Sequence, residues 1–166
     1  MQTQTQITIR AAEPHDCDRL IELLAQIGDL HRRNRPDIFQ TGIIKYTQER
    51  LREILSTPET PVFVAVTAGD TGLIVGYVFC QIIDYHGHPV FNAYKTLYID
   101  DICVDETVRN SGVGSLLFEK CKCLAQEHGC YCIELNVWKF NESAIKFYEK
   151  CGFGTRSLRM EYIVQK

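Results

Sequence analysis

Between the apolar run Leu97-Tyr98-Ile99-Asp100-Asp101-Ile102-Cys103-Val104 and the run Ser115-Leu116-Leu117-Phe118-Glu119-Lys120 stands Arg109-Asn110-Ser111-Gly112-Val113-Gly114. The first run is strand-like and the second opens a helix, so this stretch is a strand-to-helix turn. Two glycines one residue apart let backbone come close to backbone or to a ligand, since neither carries a Cβ. The free N–H groups and positive end of the helix dipole then face whatever occupies the turn, which suits a phosphate or pyrophosphate. Arg109 adds a charge-assisted donor at the same place. A P-loop would need Gly-Lys-Ser/Thr, and Gly114 is followed directly by Ser115, so that pattern fails. A dinucleotide fold would need a third glycine where Leu117 stands, although Glu134 lies at a suitable distance downstream. An ordinary turn with two glycines is the plain alternative.

A second pattern lies downstream. Asn141-Glu142-Ser143-Ala144-Ile145-Lys146-Phe147-Tyr148-Glu149-Lys150-Cys151-Gly152-Phe153 begins with a capping asparagine and gathers Ala144, Ile145, Phe147 and Tyr148 on one side of a short helix. Gly152 fits the position just past its end. Taken singly, this is an amphipathic helix whose tyrosine packs. Taken together with Arg109-x-x-Gly112-x-Gly114, in this order and at this spacing, it resembles the two signatures of the GCN5-related N-acetyltransferase (GNAT) family, in its small-molecule-type members. The motif-bearing resemblance runs from about Leu97 to about Phe153, with weaker agreement in element order from Ile7 to the C-terminus.

Composition narrows the class. A chain of 166 residues is long enough to bury a real core and reads as a single N-acetyltransferase domain over 1–166, with Met1-Gln2-Thr3-Gln4-Thr5-Gln6 frayed. That polar start lacks the basic and apolar parts of a signal peptide, so a cytoplasmic location is expected. A net charge of −3 without a basic block argues against a nucleic-acid partner. No apolar run approaches membrane-spanning length, so no membrane role is expected. A homodimer is compatible with the sequence.

The eight cysteines are Cys17, Cys80, Cys103, Cys121, Cys123, Cys130, Cys132 and Cys151. Without a secretory signal they read as reduced thiols, and the two Cys-x-Cys pairs do not match zinc spacing. Cys121 and Cys123 fall on a helix, where i and i+2 face different ways. Cys80, Cys103, Cys130 and Cys132 fall in strands. His86 and His88 read as loop residues, and no metal is expected.

Along the chain, Ile7–Arg10 alternates as a strand and Glu13-Pro14-His15-Asp16 starts a helix running to about Leu30. His31 to Phe39 reads as a basic connector or as a loop over a substrate mouth. Thr47 caps a second helix with Leu51, Ile54 and Leu55 inward. Val62–Val66 and Leu73–Ile83 form strands joined by a turn at Gly69-Asp70-Thr71-Gly72, and Gly76 marks a bulge or close approach. Asp84 to Tyr94 is a loop. A strand at 97–104, a helix at about 112–127 and a strand at about 131–137 come next. A last strand within 154–164 carries the alternation Leu158, Met160, Tyr162, Val164. The order βααβββαβαβ implies an α/β fold of α+β type, with a central mixed sheet flanked by helices on both faces. The resemblance implies the GNAT-like acyl-CoA N-acyltransferase fold, its sheet mostly antiparallel.

The resemblance also implies a reaction: transfer of the acetyl group of acetyl-CoA to a primary amine, by direct attack in a ternary complex. The acceptor would be a small molecule, held by the loops at 31–44 and 84–94. Carried over residue by residue, the cofactor-binding set is Ile102, Cys103, Val104, Arg109, Asn110, Ser111, Gly112, Val113, Gly114, Ser115 and Asn141. The strand residues among them would present free backbone groups to the pantetheine arm, and one N–H would polarise the thioester carbonyl. Tyr148 stands at the general-acid position, where a neutral phenol can donate to the leaving sulfur. For the base, Asp100 is the first candidate and Asp101 the second, acting through water. Strand alternation puts these two on opposite faces, and each reads equally as a structural carboxylate. Asn136 stands where relatives that acetylate protein N-termini carry a glutamate, with Glu134 two residues earlier. Cys103 as a nucleophile has no histidine nearby in sequence, which favours direct attack. A non-catalytic acyl-CoA-binding module and a protein or peptide N-acetyltransferase are the alternative functions.

Overall fold

Five strands meet in one sheet because five apolar segments lie between turn residues. They are β1 (Ile7–Ala11), β2 (Val62–Thr67), β3 (Ile74–Asp84), β4 (Lys95–Val104) and β5 (Cys132–Leu135), hydrogen-bonded in that order. The first four pair antiparallel, and β5 joins β4 in parallel. The sheet is therefore mixed and mostly antiparallel, as expected. The helices are α1 (Cys17–Asn34), α2 (Gln48–Leu55), α3 (Val113–Glu127) and α4 (Glu142–Lys150). This computed structural model describes residues 6–42, 44–69 and 72–164. Met1–Thr5 of the expected frayed start, Asp70 and Thr71 of the expected turn, and Ile43 of the expected acceptor loop lie outside the described residues. Two compact units are formed, Met1–Asn136 and Val137–Lys166.

In the first unit the sheet is covered on both faces, and β2 is buried from Val62 to Val66 without alternation. One face carries Val62, Val64, Val66, Tyr77, Phe79 and Cys103, which pack with Cys17, Leu20, Leu23 and Leu24 of α1 and Leu51 and Ile54 of α2. The other face meets α3, whose Val113, Leu117, Phe118, Cys121 and Leu124 are buried. Thr47 caps α2 as expected, accepting from Arg50 N at 3.2 Å. Gly76 is a close approach beside a bulge. Pairing jumps from Ala65↔Gly76 to Val66↔Ile74, which leaves Val75 as the extra residue. A Cβ on Gly76 would stand 3.0 Å from the Cys103 carbonyl oxygen and 3.2 Å from Val113 Cγ1.

Three expectations need correction. First, α1 does not stop near Leu30 but runs to Asn34, so His31 to Asn34 are helical. The residue before Pro36 is disfavoured in a helix, and α1 ends just before that position. Second, Cys130 lies in the turn before β5 rather than in a strand. Third, among the described residues 154–164 form no strand within their own unit, Val137–Lys166. The alternation there supplies a strand's side-chain pattern, but a strand also needs a ladder partner, which no pattern guarantees.

The sheet's first strand is locked to the first helix by a buried ion pair. Asp16, 2% exposed, accepts from Arg10 Nη1 at 2.6 Å, Arg10 Nη2 at 2.8 Å and Glu13 N at 2.7 Å. Burial pushes the Asp16 pKa up, but the Arg10 hydrogen bonds, the Glu13 N–H and the nearby positive charge hold it below the ordinary value. A carboxylate depressed in the folded state stabilises the fold fully above its unfolded pKa and loses that contribution as pH falls through the folded one. Asp16→Asn should therefore lower stability by about 2 kcal/mol near neutral pH. The gap between wild type and variant should narrow as pH falls below the ordinary 3.8, read by urea titration across pH.

Candidate active site

The acidic pair on β4 is arranged differently from simple alternation. β4 pairs Asp101 with Phe79 and then Ile99 with Cys80, so Asp100 is an extra, bulged residue. The bulge resets the faces. Cys103 and Asp101 lie opposite Tyr77 and Phe79 on the α1 side, whereas Ile99 and Leu97 lie opposite Cys80 and Ile82 on the α3 side. The expectation that Asp100 and Asp101 point to opposite faces is thus overturned: both reach the same cation. Lys45 Nζ donates to Asp100 Oδ2 at 2.8 Å and to Asp101 Oδ2 at 3.1 Å. Tyr46 donates its hydroxyl to Asp100 Oδ2 at 3.0 Å, and Tyr77 donates to Asp101 Oδ1 at 3.2 Å.

The two carboxylates differ in environment. The Asp100 side chain is 38% exposed and that of Asp101 12%. Burial raises the Asp101 pKa, Lys45 pulls it down, the charge of Asp100 raises it again, and the net direction is upward. Lys45 is held charged, since the two aspartates outweigh the desolvation of its ammonium. His31 stacks on Phe39 with ring centroids 5.1 Å apart, and burial lowers its pKa while Asp101 opposes that. Sequence marks none of Lys45, Tyr46 and Tyr77, and His31 only as part of the segment read as a connector or a loop over a substrate mouth. Lys45 is 55 positions from Asp100, and Tyr77 sits in an apolar strand where its ring reads as core.

At the far end of β4 the strand becomes the glycine turn. Pairing with β3 extends to Val104, but pairing with β5 stops at Ile99↔Leu135. Among the described residues of the first unit, the edge of 100–104 that faces away from β3 therefore has no ladder partner, and alternate residues turn N–H and C=O toward it. Ile102, Cys103 and Val104 lie on this stretch. Asp105 fixes the start of the connection to α3: buried to 5% exposure, it accepts from Thr107 N at 2.9 Å and from Thr107 Oγ1 at 2.7 Å, and it is paired with Arg19 of α1. Arg109 Nε donates to the Val104 carbonyl at 3.2 Å. Asn110 takes a left-handed φ of 64°, and Gly112, which precedes α3, takes 89°. The α3 ladder begins with Leu116 N to the Gly112 carbonyl at 3.2 Å, so the N–H groups of Val113, Gly114 and Ser115 precede it.

The second unit holds Asn141 and Tyr148. Asn141 caps α4 through its side chain, accepting from Ala144 N at 3.3 Å. Tyr148 is half-buried, with the Phe147 ring at 5.4 Å and the Phe153 ring edge-on at 5.5 Å. Gly152 comes after the helix with a φ of 93°.

A strand that opens midway and feeds a glycine turn at a helix start is a fold signature, and the sequence agrees with it. The profile of the acetyltransferase (GNAT) family matches residues 24–153. The chain belongs to that family. Among solved structures, the tetramutant of the BH1408 protein from Bacillus halodurans has a TM-score of 0.89 to this GNAT chain, at 30% identity, covering 95% of it and 99% of the other. Among curated proteins, thialysine N-epsilon-acetyltransferase of Bos taurus is 24% identical over 161 residues, 88% of this chain and 83% of that one. Glucosamine 6-phosphate N-acetyltransferase 1 of Dictyostelium discoideum is 36% identical over 69 residues, and the match spans 42% of each protein.

GNAT membership makes the chain an acyltransferase by class, and the family uses acetyl-CoA as cosubstrate. The residues present fit such a thioester: unladdered N–H groups at Val113 to Ser115 suit its pyrophosphate, and the open edge of β4 suits an amide-containing arm. Cys103 is a poor nucleophile, because burial pushes its thiol up to about 12. Among the described residues no group of three or more His, Cys, Asp or Glu could hold a metal ion. His86 instead pairs with Asp84, and His88 Nδ1 accepts from Val90 N and Phe91 N, each at 3.2 Å. Among the described residues no helix is long and apolar enough to cross a membrane. A cavity of about 540 Å³ lined by His86, Tyr94, Lys95, His128 and Tyr131, among others, lies at the start of β4, the end away from the glycine turn.

Gly112→Ala tests the turn itself. A Cβ there meets nothing within 4 Å, so only the φ of 89° opposes it. The strain is about 1–2 kcal/mol and falls on the loop that carries the donors. Calorimetric titration with CoA should show roughly tenfold weaker binding with the fold retained.

Proposed function

We propose that the chain transfers the acetyl group of acetyl-CoA to the primary amine of a small molecule, and that residues 1–166 act as one N-acetyltransferase domain. The observation that carries this reading is that one strand, β4, bears the acid cluster at its bulge and the unladdered edge leading to the glycine turn. Asp100 and Val104 are four residues apart, or about 13 Å of strand. Bound acetyl-CoA supplies an acyl thioester whose carbonyl carbon accepts the amine lone pair. The chain's residues then have distinct tasks. N–H groups at the edge of Ile102 to Val104 stabilise negative charge on the thioester oxygen. Val113, Gly114, Ser115 and Arg109 hold the pyrophosphate, with Asn110 and Ser111 shaping the turn. As the C–N bond forms and the C–S bond breaks, the amine proton passes through water to the acid pair. Tyr148 gives a proton to the departing sulfur, and Asn141 fixes the helix that carries it. Within the pair, the upward pKa of Asp101 suits proton uptake, while Asp100 holds Lys45 and Tyr46.

The relatives support an amine acceptor in two forms, since their names specify an amino sugar phosphate and a lysine-like ε-amine. Burial of Cys103 supports direct attack over a covalent acetyl-enzyme. Thiol release from acetyl-CoA, measured across amino sugars, diamines and lysine analogues, should show turnover with at least one class. Acetylation of peptides alone, with every small amine inert, would overturn the proposal.

Two variants probe the acid pair with opposite signs. Lys45 lowers the Asp101 pKa and Asp100 raises it. Lys45→Met should move the acid limb of the pH–rate profile to higher pH, and Asp100→Asn should move it to lower pH. Unmoved limbs in both would remove Asp101 from proton transfer.

Tyr148→Phe keeps the ring and deletes one hydroxyl. Turnover should fall by about ten- to a hundredfold while CoA affinity stays nearly unchanged. Wild-type turnover in the variant would assign Tyr148 to packing.

A further inference from the structure

The ammonium of Lys45 meets both members of the acid pair, 2.8 Å from Asp100 Oδ2 and 3.1 Å from Asp101 Oδ2. Its chain neighbours aim it there. Tyr46 packs against the core with its ring 5.7 Å from that of Phe79, and Thr47 caps α2. The ammonium also lies 5.2 Å from the centre of the Tyr46 ring, a cation–π distance. Two carboxylates and one ammonium leave a single negative charge. Tyr46 and Tyr77 contribute hydroxyls without charge, and burial lowers the pKa of His31, which keeps its ring neutral near neutral pH. The cluster therefore has charge for one further ammonium. It also has little bonding capacity left at Asp100, whose Oδ2 already accepts from both Lys45 and Tyr46.

We propose that Lys45 determines the charge of the acceptor: its ammonium stands where the second ammonium of a diamine would bind, so the site selects amines with one cationic group over diamines. The inference rests on the function proposed above, in which the reacting amine meets the acid pair. That amine uses Asp101, which takes up its proton, while Asp100 stays matched to Lys45. A diamine brings a second ammonium to a place already held by a like charge, and repulsion of the wrong ligand is as effective a source of selectivity as attraction of the right one. Lys45 and Asp100 are each 38% exposed at the side chain, so solvent screens this repulsion and the selectivity is modest.

Calorimetric titrations in the presence of CoA test this with straight-chain monoamines of three to five carbons and the α,ω-diamines of equal length. In the wild type each monoamine should bind at least as tightly, per amino group, as its diamine. Lys45→Met removes the charge and keeps an unbranched stem, and it should raise the diamine-to-monoamine affinity ratio by about fivefold. Lys45→Arg should leave the ratio unchanged, and added salt should shrink the gain in the Met variant. The wild-type measurement needs no variant to fold, and a wild type that prefers a diamine per amino group overturns the inference. An unchanged ratio in Lys45→Met, a ratio raised as far by Lys45→Arg, or failure of every amine to bind overturns it as well. Thiol release from acetyl-CoA with the same amines separates this inference from the proposed reaction. Turnover without selectivity removes only the role of Lys45, whereas selective binding without turnover keeps that role and removes the reaction.

Discussion

β4 has ten residues, and one of them does not fit. An uninterrupted strand keeps odd and even side chains on fixed faces. The extra residue at Asp100 breaks that rule, so Leu97 and Ile99 serve the α3 face while Asp101 and Cys103 serve the α1 face. Two adjacent carboxylates arrive on one side, where their charges repel in a partly desolvated setting. Lys45 and the hydroxyls of Tyr46 and Tyr77 offset that repulsion. The same site is where β5 stops pairing, so the strand changes face and loses a neighbour at one point. The acid cluster and the start of the open edge thus meet at this one local irregularity.

Legibility in sequence depended on how far apart the cooperating residues are. The glycine turn was readable because its chemistry is local: glycines, a helix start and an arginine within six residues. The caps at Thr47 and Asn141 were readable for the same reason. The face of Asp101 was not, because a bulge is set by the register between β3 and β4 and leaves no mark in the sequence of β4 alone. Lys45 was invisible because its partners are 55 and 56 positions away. The length of α1 was misjudged because His31-Arg32-Arg33-Asn34 looks like a connector, whereas polar residues extend an exposed helical turn well enough until Pro36 forbids it. At 154–164 the alternation is in the sequence, but the described residues there form no strand within their own unit, because a ladder partner is not written in a side-chain pattern.

Buried carboxylates recur at the ends of strands. Asp16 comes after β1 and holds Arg10, while Asp105 comes after β4 and holds Arg19. Each also accepts backbone N–H groups from the residues around it, Glu13 for one and Thr107 for the other. A charge buried with several donors fixes a chain direction more tightly than an apolar contact can, because hydrogen bonds lose strength quickly with angle. These anchors leave the turn after β4 little freedom to reorient.

Arg19 has a further consequence through the helix that carries it. It sits in the first turn of α1 and reaches both Asp105 and the Ile74 carbonyl, the latter at 3.0 Å. His31, three turns on, stacks on Phe39 and senses the charges of Asp101 and Lys45. An α-helix of 18 residues is a stiff rod of about 27 Å. One end of the rod is tied to Asp105, at the start of the connection to α3, and the other end carries a histidine within electrostatic reach of Asp101 and Lys45. The two ends of β4 are thus spanned by one stiff element that does not run along β4.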